Sequence, residues 1–270
     1  QPNLYLPSYV IIFGLLSILL TSFVFVLKSP VFSVNKQELD IIVQSDRLYK
    51  DVGQMVSTPK ARNYKNEESL NIIAKYIYDE FEKAEPDSLY EQVYNVRGET
   101  TLYKNIICSF GPKDAETIVV GAHYDVCGEQ DGADDNASAV AGLLEIVRLF
   151  HETKPDLKYR YEFVAYTLEE PPFFRTTAMG SAMHARALKA NNVKVKAMVC
   201  LEMIGYFTEE KNSQEYPLGI LKALYPREGN FIAVIGQLSD NGLTKNFKKN
   251  MRQVMTLGVE SLNAPSSVRG

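Results

Sequence analysis

From residue 89 onward the chain alternates between short apolar runs of strand length and longer stretches with helical periodicity, which constrains its fold more than any other feature. Strand-like runs cover 89–96, 101–110, 117–120, the stretch ending at 168, 195–201 and 231–235, with helical patterns at 137–150, 178–190 and 241–255. Two further helices are expected earlier, over 35–56 and 67–83, separated by the breaker Ser57-Thr58-Pro59. The second of these places Leu70, Ile73, Ile77 and Phe81 on one face. The 117–120 run is apolar on both faces, so it belongs inside a covered sheet. Strands alternating with helices imply an α/β fold, three-layer α/β/α, with a mixed and largely parallel central sheet. At 270 residues the chain is long enough for one large domain with a well-buried core.

Residues 9–27 differ in kind from the rest, being uncharged and long enough to cross a bilayer as a helix. The run is long for the apolar part of a signal peptide, and no small-x-small cleavage site follows before Val34. The expected organisation is therefore a transmembrane anchor at 1–30 and a single large domain over 31–270. Lys28 and Lys36 follow the span and no positive charge precedes it, which taken literally turns the large domain inward. The chain starts at Gln1, so the orientation stays open; a periplasmic or extracellular domain is the expectation carried forward. A net charge of −4 with both signs dispersed excludes the long electropositive surface that nucleic acid requires. The basic stretch 245–252 reads as a solvated helix with Phe247 and Met251 as its apolar stripe. The three cysteines show no Cys-x-x-Cys spacing and support no disulfide framework. Cys108 and Cys200 lie in apolar runs and are expected to be buried, whereas the neighbours of Cys127 leave its role open.

In open α/β sheets functional groups gather where strands end and loops begin, and here three strand ends and one helix start carry charge. The run 163–168 finishes on Glu169-Glu170, carboxylates that must be solvated, paired or metal-bound. The run 117–120 leads into His123 and Asp125, and a carboxylate so placed can hold the second nitrogen of a metal-bound imidazole. Asp134-Asp135-Asn136 opens a helix, where Asp and Asn are favoured caps; a carboxylate held there by backbone donors can also bridge metals. The Gly and Glu spacing of a calcium-binding EF-hand is absent, and the sequon Asn136-Ala137-Ser138 is read as coincidence. Glu202 ends the apolar run 197–201. Nitrogen and carboxylate ligands suit zinc, and an acid beside the metal suits a general base.

The segments GAHYD, GADDNAS, LEE, Gly180-Ser181 and LEMIGY, in this order and spacing, resemble the di-zinc aminopeptidases of metallopeptidase family 28. The resemblance covers the chain from about Val34 onward. It implies His123, Asp135, Glu170 and Glu202 as zinc ligands, with Asp135 bridging two ions. It also implies Asp125 as the residue orienting His123, Glu169 as the general base, and a cis peptide between Asp135 and Asn136. The implied substrate is a peptide with a free N-terminus. Many members carry Asp where Glu202 stands, and the LEMIGY context is similar to a bacterial subgroup that uses Glu. The family's last ligand is a histidine, usually within Ser-Asp-His, whereas this chain has only His123, His151 and His184. Residues 262–270 resemble the loop before that histidine, so the expectation is a C-terminally incomplete chain, inactive or poorly active alone. His123, Asp135 and Glu202 would then complete one zinc site, and Asp135 and Glu170 would leave the other short of its histidine. Two alternatives share the fold, a single-zinc glutaminyl-peptide cyclotransferase and a non-catalytic binding protein. Retention of Glu169 beside the ligands argues against the second, and a serine hydrolase lacks its Gly-x-Ser-x-Gly elbow.

Overall fold

The structure, a computed structural model, describes residues 7–98 and 100–265. The end of the segment likened to the loop before the last histidine, residues 266–270, lies outside the described residues. The chain divides into two units, Ile41–Tyr206 and a second formed by the described residues up to Asp40 together with those from Phe207.

The unit Ile41–Tyr206 is built on a five-stranded mixed sheet of β1 (Ser88–Asn95), β2 (Leu102–Phe110), β3 (Thr117–His123), β4 (Arg160–Tyr166) and β5 (Val195–Cys200). The spatial order is β1-β2-β4-β3-β5, with β2 antiparallel to both neighbours and β3 parallel to β4 and β5. Alternate side chains enter two cores, as a period of two requires. Ile106, Cys108, Ala122, Phe163 and Ala165 face a core shared with Leu70, Ile73, Ile77, Phe81, Val140, Leu143 and Val147. Ile107, Val119, Val164 and Tyr166 face the opposite side, where Leu188 packs on them. Helices therefore cover both faces. Counting α1 (Ser8–Lys28) as the first helix, α2 (Ser45–Val56), α3 (Glu67–Glu82) and α4 (Ala139–Thr153) lie on one side and α5 (Gly180–Ala190) on the other. Each fully buried aliphatic or aromatic side chain contributes about 1.5–3 kcal/mol, which makes the larger core the main stabilising element. Arg148 of α4 pins the first layer together, donating to Asp51 of α2 at 2.6 and 3.0 Å and to Glu80 of α3 at 2.6 Å.

Several elements depart from expectation in ways the side chains explain. Helix α2 starts at Ser45, not at 35, because Ile41-Ile42-Val43 are β-branched and lose rotamer freedom in a helix. The Gln44 backbone N–H goes instead to Glu145 Oε1 at 2.9 Å. Strand β3 runs three residues further than expected, so His123 is its last residue. Strand β4 closes at Tyr166, and Glu169-Glu170 lie beyond a turn in which Leu168 is left-handed (φ 59°). Helix α4 starts at Ala139, after a wide turn over Ala133–Ser138 whose Asp135 and Asn136 have non-helical dihedrals. Cys200 is exposed, contrary to expectation, because β5 is the outer strand of its sheet. Cys108 is buried on the middle of β2.

In the second unit β6 (Phe231–Gln237) and β7 (Gly258–Ala264) pair in parallel, joined through α6 (Asn241–Val254). Strand β7 was not anticipated, since its buried positions are Val259, Ser261 and Asn263, and two polar residues in three hide an inward face. Those polar groups answer the unpaired carbonyls at the end of α1. Asn263 Nδ2 donates to Val26 O at 2.8 Å, and Ser261 Oγ donates to Lys28 O at 2.5 Å. Helix α1 is long and apolar enough to cross a membrane, a description that a membrane anchor and a signal sequence both meet.

Candidate metal centre

His123 reaches the site because β3 delivers it as its final residue, packed until it is only 2% exposed. Its Nδ1 lies 3.1 Å from the Asp125 backbone carbonyl, which therefore accepts the Nδ1–H, and 3.5 Å from Asp125 Oδ1. That contact leaves Nε2 pointing at carboxylates: Asp135 Oδ1 at 3.3 Å, Glu202 Oε1 at 3.3 Å and Glu169 Oε2 at 3.7 Å. Glu170 completes a group with His123 and Asp135 in which one ligand atom from each lies within 4.8 Å of the others. All six residues singled out in the sequence thus surround one spot.

Asp125, 1% exposed, does more than border the imidazole. Its two carboxylate oxygens accept the backbone N–H groups of Glu169 (3.2 Å) and Glu170 (3.1 Å). The β3 exit therefore fixes the loop that carries the two glutamates. The Asp135–Asn136 peptide is cis, as the resemblance implied, and Pro171–Pro172 is cis as well.

The loop bearing Glu202 is held by alternate side chains of the 134–138 turn. Asp134 Oδ1 accepts the Gly205 N–H at 2.9 Å, Asn136 Oδ1 accepts that of Met203 at 3.0 Å, and Ser138 Oγ accepts that of Ile204 at 3.1 Å. Asn136 Nδ2 donates to Leu201 O and to Glu202 Oε2, both at 3.1 Å. A Cβ at position 205 would run into the Ser138 side chain, so this closest approach needs glycine. With Asn136 fully buried and its amide engaged on both sides, the sequon there offers no acceptor in the folded chain.

Electrostatically the centre is crowded with anions. Burial pushes the Glu169 carboxyl up to about 7, and the charges of Asp125, Glu170 and Glu202 add to the rise against the opposing pull of His123. Glu170 is raised by burial and by Asp135. Burial alone would lower His123, but hydrogen bonding to Asp125, Asp135 and Glu202 outweighs it and lifts the imidazole well above its usual range. The hydrogen bond from His123 holds Asp135 below the ordinary carboxylate range, burial opposing it. One imidazole nitrogen facing several carboxylate oxygens is a donor set suited to zinc.

Sequence reasoning passed over Arg62, which stands in the Ala61-Arg62-Asn63 linker with no motif to mark it. It is 1% exposed and donates through Nε to Tyr124 O at 2.8 Å, through Nη2 to Gly132 O at 2.6 Å, and through Nη1 to Met55 O at 3.3 Å and to Asp131 O. No sequence signal identifies such a residue, because all four acceptors are backbone carbonyls. The two remaining histidines lie elsewhere. His151 is in the last turn of α4, 3.8 Å from Glu85, and His184 is buried on α5 between Tyr166 and Glu162.

The model of Peptidase family M28 matches residues 105–239, half of the chain. The protein is 40% identical over 233 residues to Uncharacterized protein YfbL of Escherichia coli (strain K12), covering 83% of this chain and 70% of that protein. Among solved structures, the LapA aminopeptidase of Legionella pneumophila shares the fold with a TM-score of 0.63 and 20% identity, over 85% of this chain and 61% of that one. A Zn-dependent exopeptidase from Parabacteroides distasonis shares it with a TM-score of 0.60 and 17% identity, over 84% of this chain and 80% of that one. The chain thus spans less than two thirds of the LapA chain.

Proposed function

The chain belongs to peptidase family M28, and from that membership we propose that its acidic centre is the active site of a zinc-dependent aminopeptidase releasing the first residue of peptides with a free N-terminus. The observation that carries this reading is the position of His123 Nε2, 3.3 Å from both Asp135 and Glu202, with Glu170 inside the same group of candidate ligand atoms. His123, Asp135, Glu170 and Glu202 are the residues that would hold zinc. A zinc ion there supplies Lewis acidity, acidifying a water and polarising the scissile carbonyl.

The remaining work falls to the chain's own groups. Glu169 takes a proton from the attacking water at its carboxylate and returns it to the leaving nitrogen. Asp125 keeps both glutamates in place through their backbone N–H groups. The excess of carboxylates attracts the substrate's ammonium terminus. Incubation of the zinc-loaded full-length protein, rather than of residues 1–270 alone, with Leu-initiated, N-acetylated and Gln-initiated peptides tests the reading. Free leucine from the first and nothing from the second is expected; pyroglutamate formation from the third without leucine release would assign the glutaminyl cyclase alternative instead.

The length and composition of α1 support a single-pass anchor. Such a protein stays in the membrane pellet after carbonate washing, and recovery of the mature protein in the soluble fraction would count against it.

A further inference from the structure

Beneath the acidic centre lies one buried cation, and its contacts join the segments on which the candidate ligands ride. We infer that Arg62 is a positioning residue for metal capture: its guanidinium ties the β3 exit to the start of the Asp135 turn, so that His123 and Asp135 are held at ligating distance before any ion arrives. This inference rests on the reading of the cleft as a zinc site.

Tyr124, whose carbonyl receives Arg62 Nε, sits between His123 and Asp125. Gly132, whose carbonyl receives Nη2, begins the turn that presents Asp135, and Asp131 beside it receives Nη1. The same Nη1 reaches Met55 O in the last turn of α2, where helix carbonyls lack partners within the helix. Arg62 also accepts the Val126 N–H through its own carbonyl at 3.3 Å, so side chain and backbone grip the 124–132 segment together. Gly132 is left-handed (φ 61°), and a Cβ there would collide with Val126, Asp135 O and Arg62 Nη2, so the cradle is closed around the guanidinium. Asp125 and Asp135 both lie within electrostatic reach of that charge.

A planar fork with five N–H donors is what four carbonyls on three segments require; a lysine ammonium keeps the charge and loses the fork. Outer groups that orient ligands change metal affinity by about 10–100-fold when replaced. Arg148 provides the control, since it is also a largely buried arginine joining three helices but its partners are Asp51, Glu80 and Glu145, which contact none of the candidate ligands.

The test is a zinc titration of metal-free protein against a competing chromogenic chelator, with thermal melting followed in parallel. Arg62→Lys should bind zinc about 10–100-fold more weakly while melting cooperatively. Arg148→Lys should melt lower with zinc affinity unchanged. Arg62→Gln, whose amide restores two of the donors, serves if the lysine variant does not fold. Wild-type affinity in a folded Arg62 variant overturns the assignment, as does equal zinc loss in Arg148→Lys, or failure of both Arg62 variants to fold where Arg148→Lys folds. Failure of the wild-type protein to bind zinc would instead remove the zinc reading on which the assignment stands.

Discussion

Glu169 and Glu170 are chemically identical and adjacent, yet their surroundings separate them. Burial, with the charges of Asp125, Glu170 and Glu202, raises the Glu169 carboxyl to about 7, and its Oε2 stands 3.7 Å from His123 Nε2. Glu170 belongs to the cluster with His123 and Asp135. Replacing Glu169 by Gln keeps the shape and removes the proton acceptor, so turnover should fall by about 10²–10⁴-fold while zinc content stays that of the wild-type protein. His123, Asp125, Glu169, Glu170 and Glu202 were legible in the sequence because they follow the ends of apolar runs, where burial without a partner is prohibitive, and Asp135 because it stands where a helix opens. What was not legible is how they are held. Asp125 reaches Glu169 and Glu170 through backbone N–H groups, Asn136 holds the Glu202 loop through Leu201 O and the Met203 N–H, and Arg62 bonds only to carbonyls. Contacts made to the backbone leave no trace in residue types.

At the scale of elements, the layer α2–α3–α4 depends on ion pairs as well as on apolar packing. Arg148 is largely buried against Asp51 and Glu80, and removing one partner of such a network costs about 3–5 kcal/mol. Burial on its own would raise Glu80, but Lys83 and Arg148 hold it below the ordinary glutamate value. A depressed folded-state value means that stability is present above the unfolded pKa of about 4.3 and is lost as pH falls through the folded one. Thermal melting of Arg148→Met should therefore lie furthest below wild type near neutrality, and the gap should shrink below about pH 4. A gap that does not change with pH would remove the ionic account.

Periodicity made α3, α4 and the central strands readable, since their apolar faces are regular. It misplaced the start of α2, where β-branched residues mimic a helical pattern that they disfavour, and it missed β7, whose inward face carries Ser261 and Asn263. In both places tertiary hydrogen bonds, to Glu145 and to the end of α1, decide the structure.

At the scale of the whole molecule, the unit Ile41–Tyr206 by itself brings together every candidate ligand and the candidate base. Sheet order explains this, because β3 lies between β4 and β5 in parallel register and the carboxyl ends of all three open on the same edge. Family membership was legible from short motifs at those ends, whereas the division into two units was not, since no linker composition marks residue 41 or 206. The most direct test of the account compares full-length wild-type protein with its Glu169→Gln variant at equal, measured zinc content, following leucine release from a Leu-initiated peptide. The account predicts unchanged zinc and a rate lower by about 10²–10⁴-fold; an undiminished rate, or loss of the metal from the variant, would contradict it.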